Sequence, residues 1–342
     1  MKRTLTYIFA VGAVIAAVAA MFAYRWYTDN KRPNFSREAV LYVYPGMDAN
    51  KVLRMVSDSA GVLRPNSLER AFNDKKVAEY MQPGRYVVKP SSSSVYVARM
   101  LNNGWQTPTR LVLSGTMRRK GDIARKIGNQ MLVDSAEVAA ALDDNALLAK
   151  YGFNSTNVFS LFIPDTYEMY WTASVEEILQ KQKDADDAFW TPENVAKAEK
   201  LGLTKEEVSI VASIVKGETN YEPEMPSVAG VYLNRLRIGM LLQADPTVAY
   251  CFDYEPNRIL LRHLQVDSPY NTYKYPGLPP GPIAVPTKAC LNAVLNPDPH
   301  DYLFFCANSD FSGTHKFAST LSEHNRNARD FQAALNRRNA SR

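Results

Sequence analysis

A chain of 342 residues, 46% hydrophobic and 22% charged, holds ample material for a core and is long enough for about two domains. Its formal charge of +5 arises from 40 basic and 35 acidic residues mixed along the chain, with no basic block alternating with aromatics. A nucleic-acid partner is therefore not expected, and the excess reads as a solvated face with a weak preference for anionic polymers or lipid. Three cysteines without CxxC spacing leave at least one thiol free, and four histidines make no HExxH or other zinc pattern, so neither a disulfide framework nor a metal centre is expected.

At the N-terminus, Lys2 and Arg3 precede an uncharged run from Thr4 to Tyr24, and a spanning helix needs roughly 20 apolar residues. Ala17-Val-Ala19 fits a signal-peptidase site, so a cleaved signal competes with an anchor. The apolar run continues through Ala20-Met-Phe-Ala and meets Tyr24, Trp26 and Tyr27, an interfacial aromatic belt. This favours a retained single-pass membrane anchor over residues 1–28. Arg25, Lys31 and Arg32 flank the far end, so charge bias does not fix the orientation; the three-residue tail before the run argues that the bulk of the chain is exported.

A polar linker from Asp29 to Arg37 leads to a strand, Leu41-Tyr-Val-Tyr-Pro-Gly46, that ends at a Pro-Gly turn. Helical patterns follow over Ala49–Ser59 and, with Pro65 at its start, over Asn66–Met81; Gly84–Lys89 reads as a second strand. A helix over Ser94–Asn102, closed by Gly104, precedes a third strand at Arg110–Leu113. Ser114-Gly115 and then Asp122–Ile127 weakly echo the earlier strand, glycine turn and helix. From Val133 to Trp190 the pattern is mostly helical, broken at Phe162–Tyr167.

Thr204-Lys-Glu-Glu207 is a capping box. The helix it opens carries Val208, Val211, Ala212 and Val215 on one stripe, and the next helical step reaches Glu218. A carboxylate at a buried position either pairs with a cation or keeps its proton. Pairing with Arg235 or Arg237 is the structural reading; a protonated acid held for catalysis is the functional one. A second helix follows, with Pro226 in its first turn, Val228, Val231, Tyr232 and Arg235 along one face, and Gly239 as C-cap. Asp245 before Pro246 is a natural N-cap for a third helix. Tyr270-Asn-Thr-Tyr273 joins amides to flat amphipathic rings suited to sugar faces, and Gly277-Leu-Pro-Pro-Gly-Pro-Ile283 reads as a rigid loop.

With these residues the chain resembles the MltG (YceG-like) family of endolytic peptidoglycan transglycosylases. The resemblance is carried by Ala212-Ser-Ile-Val, Glu218-Thr, Asn234-Arg-Leu-Arg-Ile-Gly-Met240, Gln243 and Asp245-Pro-Thr-Val248. It continues through Tyr270-Asn-Thr-Tyr273, Gly277-Leu-Pro-Pro-Gly281 with Ile283, and His315-Lys-Phe317, with Phe162 and Pro164-Asp-Thr-Tyr167 upstream. One departure is Lys216-Gly217, where many relatives are expected to carry Glu-Lys; it places a cation and a flexible residue before Glu218.

The resemblance implies an α+β chain: the anchor, a small LysM-like βααβ module at 36–105, and a mixed α/β catalytic domain at 106–342 with its glutamate on a helix. It implies Glu218 as acid and then base in cleavage of the MurNAc–GlcNAc bond, where the muramic 6-hydroxyl attacks its own C1. Asn234, Arg235, Gln243, Asp245, Thr247, Asn271, Thr272, Tyr273, Pro280 and Gly281 are the implied substrate-binding residues, with no metal and no cofactor. Peptidoglycan glycan strands, the cell (inner) membrane and peptidoglycan synthases are the implied partners, with catalysis on the periplasmic side. A muramidase-type hydrolase, using Glu222, Glu224 or Asp245 as second carboxylate, and a non-catalytic wall-binding scaffold are the alternatives.

Overall fold

The computed structural model describes residues 2–340, a mixed α+β chain that divides into two compact units. The first comprises Met1–Arg110 with Glu168–Ala173, and the second Leu111–Tyr167 with Ser174–Arg342.

In the first unit, α1 (Lys2–Asn30) contains a stretch, Thr6–Asn30, with mean hydropathy 2.2, long and apolar enough to cross a membrane. Its side chains are exposed from Tyr7 to Tyr27, and burial begins at Thr28 and Asp29, where the helix joins the unit. Asp29 takes a bidentate contact from Arg70 (Nη2 to Oδ1 2.7 Å, Nε to Oδ2 3.0 Å) and a hydrogen bond from Ser67. Ser67 and Ser94 share a 2.9 Å hydrogen bond, and Asn34 Nδ2 donates to Ser94 at 2.8 Å. The polar chain thus ties the end of α1 to the helices beneath it.

Strand β1 (Ala39–Val43) alternates buried Ala39, Leu41 and Val43 with exposed Val40 and Tyr42, the period-2 pattern of a half-buried strand. After α2 (Ala49–Ala60), α3 (Pro65–Asp74) and α4 (Val77–Tyr80) comes β2 (Gly84–Val88), antiparallel to β1 with Leu41 opposite Tyr86. Helix α5 (Ser94–Asn102) completes a core of Leu41, Val52, Leu68, Tyr86 and Leu101. The single helix expected over Asn66–Met81 is two, because Lys76 adopts φ 52°, a left-handed conformation that ends α3 and restarts the chain as α4.

β3 (Thr109–Leu113) and β4 (Asp165–Met169) form a second two-stranded sheet, and β4 begins within the break expected at Phe162–Tyr167. Between them run α6 (Lys120–Gly128), α7 (Ser135–Ala141), α8 (Asn145–Ala149) and a 3₁₀ turn at Val158–Leu161. Then α9 (Val175–Phe189) and α10 (Pro192–Lys200) lead to α11 (Lys205–Glu218). The capping box forms as expected: Thr204 Oγ1 accepts from Glu207 N at 3.2 Å, and Glu207 Oε2 from Thr204 N at 2.8 Å.

Every residue from Val208 to Val215 is buried, because α12 (Met225–Arg237) and α14 (Lys288–Leu295) enclose α11 from more than the one predicted face. Between α12 and α14 lies the short α13 (Asp245–Cys251). The chain ends with the antiparallel hairpin β5 (Phe304–Ala307) and β6 (His315–Ala318), and with α15 (Leu321–Ala340), which packs on it. Cys251, Cys290 and Cys306 are free thiols.

Candidate active site

Helix α11 stops at Glu218; Thr219 is already extended (φ −142°, ψ 147°). The last turn is the only part of the helix after Val215 that is not fully covered, and there Glu218 lines a cavity of about 390 Å³. Gly217 sets how close this end lies to α13. A Cβ on it would stand 2.5 Å from Pro246 Cβ, so the residue expected to confer flexibility instead permits close approach. The same contact brings the start of α13, and Asp245 with it, beside Glu218.

Neither arginine pairs with the glutamate. Arg235 is 7% exposed and gives two of its N–H groups to carbonyls, Nε to Leu303 O at 2.6 Å and Nη1 to Leu242 O at 2.5 Å; Arg237 reaches Asn234. What meets Glu218 is a buried phenol, Tyr232, whose hydroxyl donates to Oε1 at 2.6 Å. Burial pushes the Glu218 carboxyl up to about 7; the Tyr232 hydrogen bond and the Arg235 charge oppose the rise, while the negative Asp245 adds to it. A carboxyl raised this far can hold a proton near neutral pH, and Oε2 is the oxygen left to carry it.

Asp245 is not the N-cap the sequence suggests. It is the first residue of α13, the cap position is Ala244, and the carboxylate instead accepts from Tyr273 Oη at 2.6 Å. Asp245, Gln243 and Tyr273 line the cavity with Glu218 and Arg235. Beneath them a polar seam holds the two loops together. Thr272 Oγ1 accepts from Ala244 N at 3.0 Å and bonds Thr247 Oγ1 at 2.8 Å, while Gln243 N donates to Thr272 O at 3.0 Å. Asn271 holds the carbonyls of Leu264 and Val266 and accepts from Tyr273 N. Gln243 has φ 48°, a costly conformation that the seam imposes and that delivers its side chain to the cavity.

Thr247, Asn271 and Thr272 are thus buried builders of the wall and do not line the cavity. Asn234 faces away from it, donating to the carbonyls of His300 and Tyr302. Pro280 and Gly281 also lie outside the lining; a Cβ on Gly281 would stand 2.4 Å from Thr156 O, and the same loop delivers Ile283 N to Ser213 Oγ of α11 at 3.0 Å. This loop braces the helix that ends in the glutamate.

The opposite wall comes from the C-terminal segment: Phe304, Phe305 and Cys306 of β5, His315 of β6, and Leu321 and His324 of α15. Only His315-Lys-Phe317 drew notice in sequence, and nothing in the local pattern marked Phe304 or His324. Glu224, 8% exposed, accepts from both His315 N and His315 Nδ1 at 2.7 Å. His324 stacks on Phe304, its Nδ1 is buried without a partner, and burial together with the Arg235 charge lowers its basicity. Of the possible second carboxylates, Glu224 is committed to His315, Glu222 does not line the cavity, and Asp245 does. Among the described residues no group of His, Cys, Asp and Glu side chains is arranged to hold a metal ion.

Comparison with known proteins agrees in extent with the chain that builds this site. An endolytic murein transglycosylase of Bacillus subtilis is 31% identical over 293 residues, 79% of this chain and 80% of that protein. One of Streptococcus pneumoniae (serotype 2, strain D39) is 23% identical over 93% of this chain but only 63% of its own length. The crystal structure of a yceG-like protein of Listeria monocytogenes superposes with a TM-score of 0.57 at 26% identity, covering 85% of this chain and 98% of that one. The YceG-like family is matched over residues 41–330, which take in both units, and the chain belongs to that family.

Proposed function

We propose that this protein is an endolytic peptidoglycan lytic transglycosylase, a lyase that cuts within glycan strands and leaves 1,6-anhydro-MurNAc ends. The observation that carries the reading is Glu218: a carboxyl without an ion-pair partner, pushed up to about 7 and facing a cavity. Its two named relatives above are endolytic murein transglycosylases, and the chain spans less than two thirds of the streptococcal one.

Protonated Glu218 gives its proton to the oxygen linking C1 of MurNAc to GlcNAc, and the C1–O bond breaks. The resulting carboxylate then takes the proton of the muramic 6-hydroxyl as O6 bonds to C1. The cycle closes with Glu218 protonated and no water consumed. An acid with a pKa near the working pH suits both halves, and the tethered hydroxyl supplies the effective concentration that water activation would otherwise provide. In this reading Asp245, held by Tyr273 in the same cavity, stabilises positive charge developing at C1. Arg235, Gln243 and Tyr273 orient the sugars. His315, held through Nδ1 by Glu224, presents its other ring nitrogen to a substrate hydroxyl. The seam residues Thr247, Asn271 and Thr272, together with Asn234, Pro280 and Gly281, act by holding the walls.

Helix α1 serves as a single-pass anchor with both units on the extracytoplasmic side, and the unit carrying β1 and β2 is the LysM-like module, a spacer or glycan-binding element at 36–105. Peptidoglycan synthases are partners in this reading, which places the enzyme in termination of nascent strands. Asp245 in the same cavity favours one second reading, a hydrolase with a Glu/Asp pair. Mass analysis of fragments from purified glycan strands separates the two. Products ending in 1,6-anhydro-MurNAc are expected, and reducing ends that incorporate oxygen from labelled water would replace this reading by the hydrolytic one.

A further inference from the structure

The arginines where α1 meets the first unit have no part in the reaction, and they sit where a preference for positive charge on the cytoplasmic side would place few. Arg25 of α1 and Arg64 and Arg70 of the α3 region line one cavity of about 480 Å³ in the first unit, together with Tyr24, Thr28 and Pro65. The charge of Arg70 is matched by Asp29, at 2.7 Å. That one carboxylate, which also feels the Arg25 charge, stands against three guanidinium groups. Arg64 gives Nη2 to the Pro33 carbonyl, and its Nε is buried with no hydrogen-bond partner; the exposed Arg25 side chain makes no hydrogen bond or salt bridge among the described residues, and only its backbone carbonyl accepts, from Thr28 Oγ1 at 2.8 Å. The recess, at the point where the long apolar helix meets the folded unit, therefore carries more guanidinium than carboxylate charge.

We propose that this recess binds the phosphate of an anionic phospholipid headgroup. The inference rests on α1 being a retained anchor. Guanidinium forks match phosphate oxygens two at a time, and they do so best where water is partly excluded. Tyr24 and Pro65 give the recess an apolar flank for the glycerol. The exposed side chains of α1, from Ile8 through Val18 to Phe22, continue the surface along which acyl chains would lie. The polar chain from Asp29 through Ser67 and Ser94 to Asn34 fixes α1 against α3 and α5. A lipid seated here therefore holds the whole first unit against the bilayer surface, and not the anchor alone.

The test uses the full chain in phosphatidylcholine nanodiscs with a minority of phosphatidylglycerol, reading by native mass spectrometry which lipids stay with the ejected protein. A basic side chain at a membrane surface contributes about fivefold, so Arg25→Gln should lower phosphatidylglycerol retention about fivefold and the Arg25→Gln, Arg64→Gln pair roughly 30-fold. Arg25 is exposed, so the single variant remains informative if the pair does not fold. Unchanged retention in the single variant overturns the site, as does loss of phosphatidylglycerol to millimolar inorganic phosphate, which would mark a free-phosphate site. An alkaline carbonate wash of the wild-type membranes separates the two failures. Protein that stays in the membrane without preferring phosphatidylglycerol removes only the headgroup site, whereas protein that washes off removes the anchor and the site with it.

Discussion

Glu218 and Glu224 stand at the two ends of the short connection between α11 and α12, and their surroundings are opposite. Glu224 is met by an imidazole and a backbone N–H, both at 2.7 Å, and its carboxylate is satisfied on both oxygens. Glu218 is met by one phenol at 2.6 Å, with a negative neighbour in Asp245 and an arginine that forms no ion pair with it and bonds the Leu303 and Leu242 carbonyls. The first arrangement engages both carboxylate oxygens in hydrogen bonds, and the second leaves one oxygen on which a proton can be exchanged. Two glutamates on one short stretch differ in chemistry because different parts of the chain arrive beside them: β6 at Glu224, and α12 with the start of α13 at Glu218.

The sharpest way to break the contrast is Glu218→Gln. Activity on glycan strands should fall about 100- to 10,000-fold, the usual share of general acid–base catalysis. Stability should hold or improve, with a definite pH dependence. The folded carboxyl titrates near 7 and the unfolded one near 4.5, so the folded state keeps a proton that the unfolded state has lost between these values. Wild-type stability therefore declines as pH rises through that window and levels off above it, by roughly 3 kcal/mol at most. The glutamine variant lacks this decline, so its melting advantage should appear at pH 8 and vanish near pH 4.5. A melting temperature that falls in step with activity would show Glu218 to be a structural partner.

Glu224→Gln should give the reverse signature. Losing a charged acceptor from a buried imidazole costs about 2 kcal/mol, which is roughly 4–8 °C in melting temperature for a unit of this size. Activity, read at a temperature where the variant is folded, should fall only about tenfold through misplacement of His315. A variant as inactive as Glu218→Gln with an unchanged melt would erase the distinction between the two glutamates.

Smaller still is the effect of Tyr232→Phe. The phenol stabilises the ionised carboxylate, so its removal should raise the Glu218 pKa further and move the alkaline limb of kcat/KM upward by up to about one unit. A limb that moves down would mean that the limb belongs to another group.

Gly217→Ala should change least. Crowding Pro246 costs about 1–3 kcal/mol, offset by about 1 kcal/mol of helix propensity. A modest loss of melting temperature and a few-fold loss of kcat/KM are expected. A raised melting temperature with full activity would show that the close approach of α11 and α13 is not what positions Asp245 beside Glu218.

By itself the sequence determined the features that depend on near neighbours. The apolar run of α1, the capping box at Thr204, the stripe that leads to Glu218 and the Pro226 start of α12 are all legible, since capping, periodicity and fixed φ act within a few residues. The polar blocks around Asp245 and Tyr273 were legible as a group, though their division into cavity and seam was not. That division turns on which side chain of each pair the opposite loop buries. The break at Lys76, the release of Asp245 from capping and the braced contact at Gly217 were decided by packing between elements distant in sequence. So was the whole second wall of β5, β6 and α15, whose short strands carry little periodic signal. The pKa of Glu218 belongs to this last class, because burial and the positions of Tyr232, Asp245 and Arg235 exist only once the chain has closed around them.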